Sequence, residues 1–207
     1  MEANMPAQFF EAGQPVQHPL EVKFNANAWD ILSAIEKGFR AQVDVKGKLA
    51  EWFLFKVLED LKATGVFTSV TWSDENGKPD FRVVSPAFDL TMECKNLRSD
   101  EKYADGSYKL ETQKTRSQKE TPPAGAGGGA KKKGTRWYKV TEFDMVAACL
   151  FNQTRRWEYV FARTIDLTRH PKDNACLNTM QRVPPAPKDP WKATLQEVLD
   201  LFSGKKK

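Results

Sequence analysis

GKPDFRVVSPAFDLTMECKN, residues 77–96, reads as a β-hairpin with its charges in an unusual order. DFRVV and LTMECKN are short runs rich in apolar and β-branched residues, and SPAFD between them is turn chemistry. Side chains alternate along a strand, so Leu90, Met92 and Cys94 share one face while Thr91, Glu93 and Lys95 share the other. Asp80 opens the first strand, and hairpin pairing brings it beside them. The stretch is expected to gather two carboxylates and a lysine on one face.

Two carboxylates held together repel unless a cation sits between them. Mg²⁺ suits such a pair, because it takes oxygen ligands and keeps several of its waters. A metal-bound water is acidified and can be aimed at phosphorus. A neighbouring lysine can position or deprotonate that water, or stabilise developing negative charge. These are the parts of a phosphodiester hydrolase. The acid-x-Lys triplet alone says little, since it recurs at Glu21–Lys23, Asp44–Lys46, Asp60–Lys62 and Asp100–Lys102. At Glu93–Lys95 it ends a strand with an apolar opposite face and follows Pro79-Asp80 at hairpin distance.

Outward from the hairpin, VFTSVTWS reads as a preceding strand, with DENGKP as the turn between. Upstream, WDILSAIEKGFRAQV has helical spacing through Trp29, Leu32, Ile35 and Phe39, and Asn27 suits its N-cap. KGKLAEWFLFKVLEDLKATG follows as a helix apolar nearly all round, with Gly65 at C′. Glu51 stands among Leu49, Trp52, Phe53, Leu54 and Phe55. It lies either at the edge of the apolar stripe or buried with a partner, and buried charges are paired or metal-bound. Downstream, LETQKTRSQK suggests a short helix and TPPAGAGGGAKKKGTR is low-complexity. EFDMVAACLF suits a central strand and RWEYVFARTIDL its hairpin partner. Residues 168–188 read as irregular, and DPWKATLQEVLDLF as a helix capped by Asp189 with Pro190 at N1.

Taken together, residues 1–26 form an irregular segment and residues 27–203 a single domain with a Gly/Lys-rich insert at 121–136. Residues 204–207 form a basic tail. The fold class is α/β, a mixed central sheet flanked by helices.

The chain has 207 residues and a net charge of +5, which permits a polyanionic partner without demanding one. Three dispersed cysteines, Cys94, Cys149 and Cys176, fit neither a disulfide framework nor a zinc site. The N-terminal residues do not read as a signal peptide, and no apolar run is long enough for a membrane span. A cytoplasmic setting is expected. The only histidines, His18 and His170, each precede a proline, too little for histidine-based chemistry. The glycines of residues 124–134 do not follow a strand and lack phosphate-loop spacing.

Glu51 on a helix, Pro79-Asp80, and Glu93-Cys94-Lys95 on the next strand resemble the PD-(D/E)XK nuclease superfamily, the restriction-endonuclease-like fold. The resemblance spans roughly residues 46–163 and implies an αβββαβ core and a Mg²⁺-dependent DNA endonuclease, with Mn²⁺ as a substitute. It implies that Asp80 and Glu93 are metal-binding carboxylates, with the Cys94 carbonyl a third protein ligand. It implies that Lys95 is the catalytic lysine and Glu51 an auxiliary acid. Gln113 is the candidate for the glutamine that some members carry on the helix after the lysine strand, with Gln118 in reserve. DNA phosphates would meet Lys114, Arg116 and Lys119, and Lys131, Lys132, Lys133 and Arg136. A homodimer would supply the two sites that cutting both strands takes. Other readings are a repair or recombination nuclease such as a resolvase or exonuclease, a non-catalytic nucleic-acid-binding protein on the same fold, or an assembly factor whose hairpin charges form a surface salt bridge.

Overall fold

The computed structural model describes residues 17–75, 77–99, 102–114 and 136–204. Its strands are β1 (Ser69–Trp72), β2 (Phe81–Ser85), β3 (Phe88–Asn96), β4 (Tyr108–Glu111), β5 (Met145–Cys149), β6 (Tyr159–Arg163), β7 (Arg169–His170), β8 (Asp173–Leu177) and β9 (Met180–Val183). Strands β1, β2, β3, β5 and β6 lie side by side in that order as one mixed sheet. All neighbours are antiparallel except β3 and β5, which run parallel from Met92↔Met145 to Asn96↔Cys149. The β2–β3 hairpin forms as its sequence requires. Pro86 and Ala87 make the turn, and the Ser85 hydroxyl accepts from the backbone N–H groups of Ala87 and Phe88 at 3.1 and 3.2 Å.

The chain divides into two compact units between Lys46 and Gly47. The first holds α1 (Pro19–Phe24), α2 (Ala28–Lys37) and the start of α3 (Phe39–Ala63). Within residues 1–26, read above as irregular, His18 closes a capping box with Glu21 and Pro19 sits in the first turn, where its missing N–H costs nothing. Asn27 caps α2 as expected, accepting from the Asp30 N–H at 2.9 Å.

The second unit carries the short α4 (Phe151–Thr154), and in it the rest of α3 and the C-terminal α5 (Leu195–Phe202) share one apolar cluster with one face of the sheet. Ala50, Leu54 and Leu58 meet Phe81, Val83, Leu90, Met92, Cys94, Met145, Ala147, Tyr159 and Phe161, with Leu195, Val198 and Leu199 from α5. Burial of each leucine contributes about 2 kcal/mol. The Tyr159 hydroxyl donates to the Ala50 carbonyl at 2.7 Å, tying helix to sheet. Helix α3 is not apolar on all sides in effect. Its Leu49, Trp52 and Val57 remain exposed and only one stripe is fully buried. Gly65 takes the left-handed conformation expected of a C′ residue, φ 82°. Helix α5 starts later than expected. Thr194 is its N-cap and Glu197 completes the capping box, while Trp191 is buried and donates to the Arg182 carbonyl at 2.7 Å.

The opposite face of the sheet is covered by β structure. Leu110 of β4, Leu177 of β8 and Val183 of β9 cluster with Val146, Ala148, Val160 and Ala162. Two expectations fall here. Residues 168–188 are not irregular, since they contain β7, β8 and β9. The start of the segment read as a helix, LETQ, is instead the end of β4 and an extended stretch paired with distant residues. The αβββαβ order accordingly has a strand, β4, after β3 among the described residues.

Candidate active site

Asp80 precedes β2, and the register Phe81↔Met92, carried one step further, sets it opposite Glu93. Its Oδ2 accepts the backbone N–H of Cys94 at 2.8 Å, which fixes the carboxyl against β3. Burial, and then the neighbouring Glu93 carboxylate, push the Asp80 carboxyl up to about 7. Glu51 adds to this, while Lys95 and the Cys94 N–H oppose it. Two acids thus compete for one region of low dielectric.

Glu93 is not on a solvated face. The β layer beyond it leaves its side chain 6% exposed and that of Lys95 24% exposed. The Lys95 ammonium lies 2.6 Å from Glu93 Oε1. Burial alone would lower the Lys95 pKa, but Glu93, Tyr138 and Asp80 outweigh it and raise it, so the group stays charged. Cys94 points its thiol into the helix-side core, where burial raises its pKa well above the ordinary value. This leaves only its backbone to face the site.

Glu51 is half-buried and has partners. Its Oε2 accepts from Lys48 Nζ at 2.8 Å and from Trp72 Nε1 at 3.0 Å. Lys48, one turn earlier, also reaches Asp74 Oδ1 at 2.6 Å. Glu51 influences Asp80 electrostatically. Among the described residues, no three His, Cys, Asp or Glu side chains gather for a metal ion. Asp80 and Glu93 are the two carboxylates that this face brings together.

Gln113 does not reach the acids from a helix. It lies in the extended stretch after β4, bridges to Trp137 and hydrogen-bonds Glu111. Lys114 follows, bound to Glu142 Oε1 at 2.9 Å, with its ammonium 5.8 Å from the Tyr138 ring centre. The exposed Arg136 donates to the Lys114 carbonyl at 2.7 Å. Arg116, Gln118, Lys119, Lys131, Lys132 and Lys133, and most of the 121–136 insert, lie outside the described residues.

Sequence reading missed three partners. Tyr138 donates its hydroxyl to Glu93 Oε1 at 2.6 Å, and nothing local to the hairpin announces it. Trp72 and Lys48 hold Glu51, and of these Lys48 was legible as its i−3 neighbour on a helix. The Asp60–Lys62 triplet behaves as a surface feature, with Lys62 paired to Glu59 at 3.1 Å and half-exposed.

No protein-family model matches this chain. No curated protein matches it either. Among solved structures, the bacterial homing endonuclease I-Ssp6803I aligns with a TM-score of 0.42 and 14% sequence identity, covering 78% of this chain and 93% of that one. Among the described residues, no helix is long and apolar enough to cross a membrane.

Proposed function

We propose that the chain is a Mg²⁺-dependent DNA endonuclease of the PD-(D/E)XK type, with Asp80, Glu93 and the Cys94 carbonyl as the protein's metal ligands. One observation carries the reading. The half-buried Asp80 and the buried Glu93 stand opposite each other, and burial, then the neighbouring Glu93 carboxylate, pushes the Asp80 carboxyl up to about 7. A pair so arranged is costly without a cation and is relieved by one. When bound, Mg²⁺, or Mn²⁺ in its stead, would supply Lewis acidity and a water of lowered pKa.

The chain's own residues do the rest. Lys95 remains an ammonium, so its part is to face the charge that develops on the phosphate rather than to remove a proton. Glu51, held by Lys48 and Trp72, is an auxiliary acid that strengthens the negative field at Asp80. Lys114, Arg116, Lys119, Lys131, Lys132, Lys133 and Arg136 would contact DNA phosphates and set register without reading sequence. Gln113 is given no catalytic part in this reading; its amide hydrogen-bonds Glu111. A homodimer would let the enzyme cut both strands.

The test is incubation of purified protein with supercoiled plasmid, in Mg²⁺ or EDTA, beside Lys95→Ala. Metal-dependent nicking or linearisation that the variant lacks is the expected result. Plasmid, linear duplex and single strand all left intact by wild-type protein in Mg²⁺ or Mn²⁺ would turn the reading to a non-catalytic nucleic-acid-binding protein.

A further inference from the structure

Glu93 Oε1 receives two short contacts, the Tyr138 hydroxyl at 2.6 Å and the Lys95 ammonium at 2.6 Å. The same ammonium lies 5.6 Å from the centre of the Tyr138 ring, which closes a triangle of carboxylate, ammonium and phenol. Tyr138 is not carried by the hairpin. Its backbone carbonyl accepts the Leu177 N–H at 2.8 Å, and the residues on either side bridge to Gln113 and Cys176. Its ring stands edge-on to the buried Phe143 at 5.0 Å. The β layer beyond the sheet thus aims one hydroxyl at one oxygen of Glu93. A phenylalanine would fill the same space, so packing alone does not account for the hydroxyl.

We propose that Tyr138 is a positioning residue: it pins Glu93 Oε1 from the opposite layer, fixes the carboxylate's orientation together with Lys95, and so keeps the other oxygen available for a divalent cation. The inference rests on the cation reading above and adds to it a group from outside the hairpin. Groups that hydrogen-bond a metal-ligating carboxylate orient it and are worth about 10–100-fold in metal affinity when removed. Lys95 alone is a weaker guide, because an ammonium on a flexible stem constrains direction less than a phenol on a packed ring.

The experiment is calorimetric titration with Mn²⁺ alone, without DNA, on the full chain and on Tyr138→Phe, Phe143→Leu and Asp80→Ala, with a melting curve for each. Tyr138→Phe should bind Mn²⁺ about tenfold more weakly while melting close to wild type. Phe143→Leu, which loosens the ring's packing but spares the hydroxyl, should melt lower yet keep its Mn²⁺ affinity. In cleavage, Tyr138→Phe should raise the Mg²⁺ concentration for half-maximal rate more than it lowers the rate at saturation. Unchanged Mn²⁺ affinity in Tyr138→Phe, with binding lost in Asp80→Ala, would overturn the role of Tyr138 and leave the cation site standing. Equal weakening in Phe143→Leu would overturn it as well, by reducing it to packing. Failure of the wild-type chain to take up Mn²⁺ would bring down the cation site and this inference with it.

Discussion

Glu51 Oε2 accepts from the indole N–H of Trp72 at 3.0 Å, so an acid on a helix is held by a strand at the edge of the sheet. With Lys48 on the same oxygen, Glu51 is already engaged by two donors. It is therefore expected to matter less to cleavage than Asp80. Glu51→Gln should slow plasmid cleavage by about tenfold, whereas Asp80→Asn should reduce it by about 10³-fold or more, on the scale typical for loss of a charge-stabilising group. Initial rates under saturating Mg²⁺ compare the two directly.

Lys95→Ala should abolish detectable cleavage, and Lys62→Ala should not. The first removes a half-buried ammonium paired with the buried Glu93, while the second removes one of a half-exposed surface pair. Lys95→Ala also strands the Glu93 carboxylate with one donor fewer, at a cost of about 1–3 kcal/mol. Urea denaturation should register that loss, and cleavage should be compared well below the lowered melting temperature. Equal loss of activity in Lys62→Ala would show that the triplet at 93–95 was misread.

The metal-free chain should lose stability as pH rises. Asp80 holds its proton up to about 7 in the folded state, while an unfolded aspartate releases it near pH ~4. The raised folded value means that the folded chain binds the extra proton, so this contribution is complete below pH ~4 and is lost as pH climbs through about 7. Melting temperatures in EDTA should fall from pH ~4 to about 7 and level off above it, and Asp80→Asn should flatten that slope. A slope that is the same in the variant would remove Asp80 as its source.

Leu54→Ala should destabilise the domain by about 2–5 kcal/mol, since Leu54 is fully buried between α3 and the sheet. Val57→Ala, one turn along on the exposed side, should cost under about 1 kcal/mol. Denaturant midpoints distinguish the two.

What the sequence revealed was local. Strands β2, β3, β5 and β6 announce themselves through short alternating or apolar runs, and Asp80, Glu93 and Lys95 fall together because one hairpin carries all three. Strands β4 and β9 were hidden because each is stabilised by a partner far along the chain, as in Leu110↔Gln181. LETQ has the residues of a helix, and tertiary pairing overrides that preference. The start of α5 was legible but outcompeted. Asp189-Pro190 imitates a cap, while Thr194 and Glu197 carry the capping box itself. Tyr138 could not be read, because its link to Glu93 spans 45 positions and leaves no periodic trace.

Asp144 and Thr91 clasp each other where β5 enters beside β3. Asp144 Oδ2 accepts the Thr91 N–H at 2.7 Å and its hydroxyl at 2.8 Å, across 53 positions of chain. This seam joins two pieces of sheet that can each zip locally, the β1–β3 meander and the β5–β6 hairpin. Folding speed is governed by such distant closures, so docking at the seam is expected to be the slow, nucleus-defining step. Lengthening the intervening loop adds only about 0.6 kcal/mol per doubling, so the seam tolerates a long insertion between its strands. Asp80 and Glu93 both belong to the meander, whereas Tyr138 arrives with the far side. A chain caught before closure would already own its acids but not yet the hydroxyl that aims one of them.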